Sequence, residues 1–170
     1  MKALVVSYCP RGERSRTRQL LDHALSVLRE KNVGVKVLDI AQDIPDLFTP
    51  DRLAAYYQRN LGRQELSAEK SALMTKMDRM TDELKAADLL ILAYPMHNFS
   101  QPAVVKAWFD SVLQKGKTWD LGPQGYVKLM DGRRALVLSS SGGDYEGPMA
   151  SWEHSVSTSK VHLMFMGYET

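Results

Sequence analysis

Leu89-Leu90-Ile91-Leu92-Ala93-Tyr94-Pro95-Met96-His97-Asn98-Phe99-Ser100-Gln101-Pro102 is the stretch that decides how this chain folds. Its first five residues are an unbroken apolar run, the pattern of a strand buried on both faces. Pro95 and Pro102 bracket a turn of apolar and amide side chains, and Val105, Trp108, Phe109 and Val112 then recur at helical spacing. A strand that ends in a turn opening onto a helix is where open α/β sheets bind ligands, outside the carboxyl ends of their strands.

Working outward, apolar runs alternate with helical patterns. Ala3 to Ser7 reads as a first buried strand. Arg16 to Glu30 reads as a helix with Leu20, Leu21, Ala24, Val27 and Leu28 on one face, and Val35 to Leu38 as a second strand. Residues 43 to 66 have no clear period beyond a short helix around Leu53 to Gln58. Ala68 to Ala87 is helical, its stripe of Leu73, Met77, Met80 and Leu84 better explained by core packing than by a binding surface. After the third strand and helix come an excursion through Pro123 and Gly125, a fourth strand over Arg134 to Ser139, and a fifth over Val161 to Met166. Such alternation predicts a three-layer α/β fold with right-handed crossovers and helices on both faces of a parallel sheet. Five strands in the order 2-1-3-4-5 place the ligand crevice at the carboxyl ends of the first and third strands.

At 170 residues the chain suits one domain, residues 1–170, and its 44% hydrophobic and 25% charged residues are those of a globular protein. A net charge of +2, spread along the chain, argues against nucleic acid as a partner. One cysteine, Cys9, excludes an intrachain disulfide and a multi-cysteine metal site and fits a reducing compartment. The apolar run after Met1 is too short for a signal-peptide core or a membrane span. We therefore expect a cytoplasmic protein with no membrane partner. No histidine–carboxylate spacing marks a metal site, so none is expected.

Two further loops can carry chemistry. Ser7 to Thr17 ends with Ser15, Arg16 and Thr17 at the start of a helix, where unpaired N–H groups and partial positive charge favour phosphate. Ser15 also fits a simple N-cap. Neither a Walker glycine–lysine–serine motif nor GxGxxG is present. Ser139 to Tyr145 follows the fourth strand, and its paired glycines, Gly142 and Gly143, allow close backbone approach or a flexible turn. No G-x-S-x-G elbow surrounds its serines. Together the loops fit a phosphorylated planar cofactor such as flavin mononucleotide (FMN).

The block Pro95-Met96-His97-Asn98-Phe99, continued by Lys106, Phe109-Asp110, Gly116 and Thr118-Trp119, resembles the FMN-dependent NADH:quinone oxidoreductase and azoreductase family of the flavodoxin-like fold. The Ser140-Ser141-Gly142-Gly143 and Ser15-Arg16-Thr17 loops match in kind and position. The resemblance implies that Ser15, Arg16 and Thr17 hold the FMN phosphate, with Cys9 at another phosphate-loop position. It implies that Pro95, Met96, His97, Asn98 and Phe99 border the isoalloxazine and that Ser140, Ser141, Gly142 and Gly143 meet its pyrimidine edge. It also implies a homodimer in which Tyr56, Tyr57 and Trp119 help line the partner's pocket. His97 and Ser141 depart from the residues common in the family. The chain ends at Thr170, just after the expected fifth strand, where relatives continue into a last helix, leaving one sheet face incompletely covered.

The implied activity is two-electron transfer from NADH or NADPH to a quinone or azo compound, donor and acceptor using one pocket in turn in a ping-pong mechanism. His97 either donates a proton to the reduced acceptor or lines the pocket. Two other readings stay open. A flavodoxin-type electron carrier is disfavoured by the slightly basic charge. A shortened family member that has lost flavin chemistry would retain no FMN.

Overall fold

The computed structural model describes all residues from Met1 to Thr170. Four strands, β1 (Lys2–Ser7), β2 (Gly34–Asp39), β3 (Leu89–Pro95) and a later one named below, make a parallel sheet. The helices are α1 (Arg16–Glu30), α2 (Pro50–Tyr56), α3 (Ala68–Lys85), α4 (Ala103–Val112) and α5 (Val156–Met166). A π-helical turn, Tyr57–Leu61, prolongs α2. Between α4 and the sheet's last strand lies an antiparallel hairpin, β4 (Trp119–Gly122) and β5 (Gly125–Lys128). The last strand is β6 (Arg134–Ser140), and the sheet order is β2-β1-β3-β6.

Register sorts the side chains. Val5 lies level with Val37 on one side and Ile91 on the other, and Ile91 with Leu136. Because side chains alternate across a strand, Ala3, Val5, Ile91 and Ala93 pack with Leu21 and Leu28 of α1. Leu4, Val6, Leu90 and Leu92 join the larger core on the opposite face, with Met80, Leu84, Trp108, Phe109 and Leu163. Trp108 and Phe109 are fully buried, and so are Met77, Met80 and Leu84 of the methionine stripe, while Leu73 is half-buried and Met74 takes its place in the core.

Two expectations are corrected. The sheet has four strands rather than five, and Val161–Met166 is the second half of α5 instead of a strand. Ser159, Leu163 and Met166 are its buried residues, spaced four and three apart, a helical face. The His162 ring lies 4.4 Å from that of Phe109. A short apolar run carries no period of its own strong enough to separate strand from helix, so contacts with α4 and β3 decide it. The fifth strand position is instead reached at Glu169, whose N–H donates to the Arg133 carbonyl and whose carbonyl accepts from Ala135 N–H, a parallel bridge beside β6. The other miss is the β4–β5 hairpin, read as an excursion.

With Val161–Met166 helical, the chain does not end on a strand, yet one sheet face is thinly covered. On the α1 side Val35, Val37 and Leu136 remain 38%, 53% and 43% exposed. No helix is long and apolar enough to cross a membrane.

The segment after β2 is anchored by polar contacts. Arg59 donates to Asp78 of α3 at 2.6 and 2.9 Å and to Gln114 at 2.9 Å, and Asn60 donates to the Lys115 carbonyl. Buried Gln114 passes the chain on to Thr81 at 2.8 Å. Burial opposes ionisation of Asp78, but the hydrogen bonds from Arg59 and Lys117 outweigh it and hold the carboxyl below its ordinary value.

Candidate functional site

Three loops leave the carboxyl ends of adjacent strands β1, β3 and β6, where open α/β sheets hold their ligands. The first is built on Gly12, whose φ of +57° is easy only for glycine. It allows a 3-10 turn over Gly12–Arg14, closed by Gly12 N–H to Cys9 carbonyl and Ser15 N–H to Gly12 carbonyl. Ser15 then caps α1 by accepting from Arg18 N–H at 3.2 Å. Arg16 and Thr17 N–H, in the first turn of α1, have no acceptor in the molecule.

The second loop is a reversal. His97 and Ser100 exchange N–H···O bonds of 2.9 and 3.0 Å around Asn98 (φ +47°) and Phe99 (φ +69°). Positive φ at both central residues makes this a type I′ turn, which favours Asn at the first position and Gly at the second. Phe99 occupies the glycine position, so the turn holds a strained residue of the kind that clusters at functional sites. Its ring meets Tyr145 and Trp152 edge-on, at 6.2 and 5.3 Å between centroids. His154 N–H donates to the Phe99 carbonyl at 2.9 Å, and the Ser100 hydroxyl to the His154 carbonyl at 3.3 Å, so the turn is fastened to the segment before α5.

The third loop, Ser140 to Tyr145, is joined to the first by a 2.7 Å hydrogen bond between the Thr17 and Ser140 hydroxyls, and to the second by Met96 N–H on the Ser140 carbonyl. The N–H groups of Asn98, Phe99, Ser141, Gly142 and Gly143 have no intramolecular acceptor.

Between the loops lies a hollow of about 540 Å³. Ser15, Arg16, Pro95, Met96, His97, Ser140, Ser141 and Gly142, all expected from sequence, line it. Gly143 borders an adjoining 260 Å³ hollow with Tyr145. Cys9, Thr17, Asn98 and Phe99 line neither: Thr17 is fully buried in its bond to Ser140, and Asn98 and Phe99 shape the turn. Burial pushes the Cys9 thiol upward, with Ser15 and Arg18 opposing, which disfavours the thiolate and fits a loop role. Tyr8 packs edge-on to His97 at 5.8 Å. Sequence reasoning missed Arg11 and Arg14, which also line the hollow; three arginines within six residues between a strand and a helix were the available signal. Of the residues expected to reach a partner, Tyr56 is buried and accepts from Lys115 N–H, Trp119 packs on Tyr126 and Phe165, and only Tyr57 is well exposed. No cluster of three metal-ligating side chains occurs.

The donor set fits FMN. The free N–H groups at the start of α1, together with Arg16, suit a phosphate dianion. Free N–H groups from the two other loops suit the carbonyl and nitrogen edge of a planar ring.

A family model described as flavodoxin-like fold matches residues 1–170. The chain belongs to the flavodoxin-like fold family. Among its relatives is an FMN-dependent NADH:quinone oxidoreductase of Azospirillum brasilense, 31% identical over 98% of this chain and 81% of that protein. Another of the same name from Azotobacter vinelandii is 38% identical over 86% of this chain and 73% of the relative. An FMN-dependent NADH-azoreductase of Bacillus anthracis, solved in complex with FMN, superposes with a TM-score of 0.88 at 26% identity, covering 99% of this chain and 82% of that one. The flavodoxin-like arrangement of this chain is thus a four-stranded parallel sheet carrying three loops at one end, with the hairpin as a small second sheet.

Proposed function

We propose that this protein is an FMN-dependent oxidoreductase that passes two electrons from a reduced nicotinamide dinucleotide to a quinone or azo compound. The observation that carries the reading is the gathering, in the three loops at the carboxyl ends of β1, β3 and β6, of seven N–H groups without acceptors, those of Arg16, Ser141 and Gly142 on residues that line one polar hollow. The names of the relatives support it. Bound FMN supplies the redox chemistry, accepting and releasing the electron pair.

The residues bind, orient and protonate. In this reading Ser15, Arg16 and Thr17 hold the phosphate at the amino end of α1, with Cys9 behind them. Pro95, Met96, His97, Asn98 and Phe99 border the ring, and Ser140, Ser141, Gly142 and Gly143 meet its pyrimidine edge, the last three with free N–H donors. The pinned type I′ turn fixes that border before anything binds, which saves ordering entropy. The His97 imidazole N–H can deliver a proton to the reduced acceptor's oxygen or nitrogen. Because no side chain serves as a covalent catalyst, His97→Ala slows turnover or alters acceptor preference without abolishing it. One pocket used in turn by donor and acceptor gives ping-pong kinetics.

The same reading makes the molecule a single flavin-binding domain and a cytoplasmic homodimer. Ile44, Leu47 and Tyr57, exposed at 60%, 67% and 53%, support the dimer by offering apolar area in the excursion after β2.

The test is anaerobic visible absorbance of FMN-loaded protein titrated with reduced nicotinamide. Bleaching, followed by recovery of colour on adding a quinone, is expected. Flavin that stays yellow with both NADH and NADPH would sink the oxidoreductase reading in favour of a carrier.

A further inference from the structure

Arg11 and Arg14 stand at positions i and i+3 of the 3-10 turn, joined by Arg14 N–H to the Arg11 carbonyl at 3.3 Å. In a 3-10 turn such side chains eclipse one another, so two guanidinium groups share one side of the loop. Both are exposed, and both line the hollow together with Arg16. None of the three makes an ion pair within 4.0 Å or a side-chain hydrogen bond, in contrast to Arg18, which is held by Asp22 at 2.7 Å. Three like charges at one mouth repel, and the lone acidic residue of the turn, Glu13, does not line it. The amino end of α1 adds about half a positive charge. An FMN phosphate carries at most two negative charges, so a net positive charge is left beside the ring-binding loops.

We propose that Arg11 and Arg14 form a second phosphate subsite, which takes the 2′-phosphate of the reduced dinucleotide and makes NADPH the preferred hydride donor. The inference rests on the oxidoreductase reading above. Its chemistry is that of any arginine that accommodates a ribose 2′-phosphate. A guanidinium fork pairs with phosphate through two parallel N–H···O bonds, stronger than neutral hydrogen bonds. NADH lacks that phosphate and leaves the pair unneutralised. Arg16, first in α1 and next to the free N–H groups, stays with the FMN phosphate.

The test uses FMN-loaded protein and the double variant Arg11→Gln, Arg14→Gln, with retained FMN absorbance as the check on folding. Binding is read by calorimetry with adenosine 2′,5′-bisphosphate and with 5′-AMP, neither of which transfers a hydride. Wild type is expected to bind the bisphosphate about tenfold or more tightly than 5′-AMP, and the double variant to lose that margin. The ratio of kcat/KM for NADPH over NADH should fall by a similar factor, and Arg14→Lys, which keeps the charge without the fork, should fall between. Equal binding of the two nucleotides to wild type, or a ratio unmoved in the double variant, overturns the inference while leaving NADH-driven turnover, and so the oxidoreductase reading, intact. Loss of FMN from the double variant also overturns it, because the arginines would then belong to the cofactor's own phosphate. If neither dinucleotide bleaches the flavin, it is the oxidoreductase reading that fails.

Discussion

The sheet has a hollow at each end, and the larger one is the less promising. At the amino ends of β1 and β2, against α3, lies a space of about 1090 Å³, twice the volume of the hollow between the loops. Its charges neutralise one another: Lys36 and Arg79 both meet Glu83 Oε1 at 3.0 Å, and Asp78 is held by Arg59 and Lys117. A single buried oxygen, Glu83 Oε2, is left without a partner. At the carboxyl ends the arginines are unpaired and seven N–H groups have no acceptor. A protein buries or crowds polar groups without partners only at a cost, so a concentration of them marks a binding site better than volume does.

The sharpest way to break this contrast is to fill each hollow in turn. A side chain at Gly142 meets no atom within 4 Å of its first carbon, so Gly142→Trp projects into space without disturbing the core. Fluorescence titration should then show FMN affinity reduced by about 100-fold or more, equivalent to roughly 2.8 kcal/mol. Thr75→Trp at the amino end should leave it within about twofold, well under 1 kcal/mol. A large loss from Thr75→Trp would mean that volume had been the better guide.

A smaller effect is expected from the turn. Asn98→Val puts a β-branched residue at φ +47°, costing about 1–2 kcal/mol and lowering the melting temperature by about 2–8 °C. An unchanged melting temperature would show that the reversal is not held in its type I′ form.

The smallest effect belongs to the amino end. The folded Asp78 carboxyl lies below its ordinary 3.8, so its contribution is complete above that pH and is lost as pH falls through the lower folded value. Asp78→Asn should therefore be less stable than wild type at neutral pH, with the difference shrinking below about pH 3.8. A difference that stays constant in urea melts from pH 7 to 3 would mean that Asp78 acts through shape alone.

Much of this was legible before any coordinates. Arg16–Glu30 and the third strand were marked by a capping serine and by a run of apolar residues closed by proline, signals that lie within a few residues of the element they define. The loops followed from them. What was not legible depended on distant partners. Val161–Met166 becomes helix because Leu163 and Met166 join the core against α4 and Ser159 binds Tyr94 at 2.6 Å and Gln101 at 3.0 Å, none of which is near in sequence. The β4–β5 hairpin turns through Pro123-Gln124 and is held by Trp119 and Tyr126 against Phe165, some forty residues on in the chain. The pairing of Arg11 with Arg14 depended on a 3-10 turn that a loop sequence does not announce.

The fastening of the Phe99 turn to His154 has a consequence for chain length. Surface loops ordinarily tolerate insertions and deletions better than the elements they join. The stretch from Ser141 to Glu153 does not have that latitude, because its two ends are tied to the same few residues: Ser140 accepts from Met96 at one end, and His154 grips Phe99 and Ser100 at the other. Its number of residues is therefore a dimension of the ring-binding border itself.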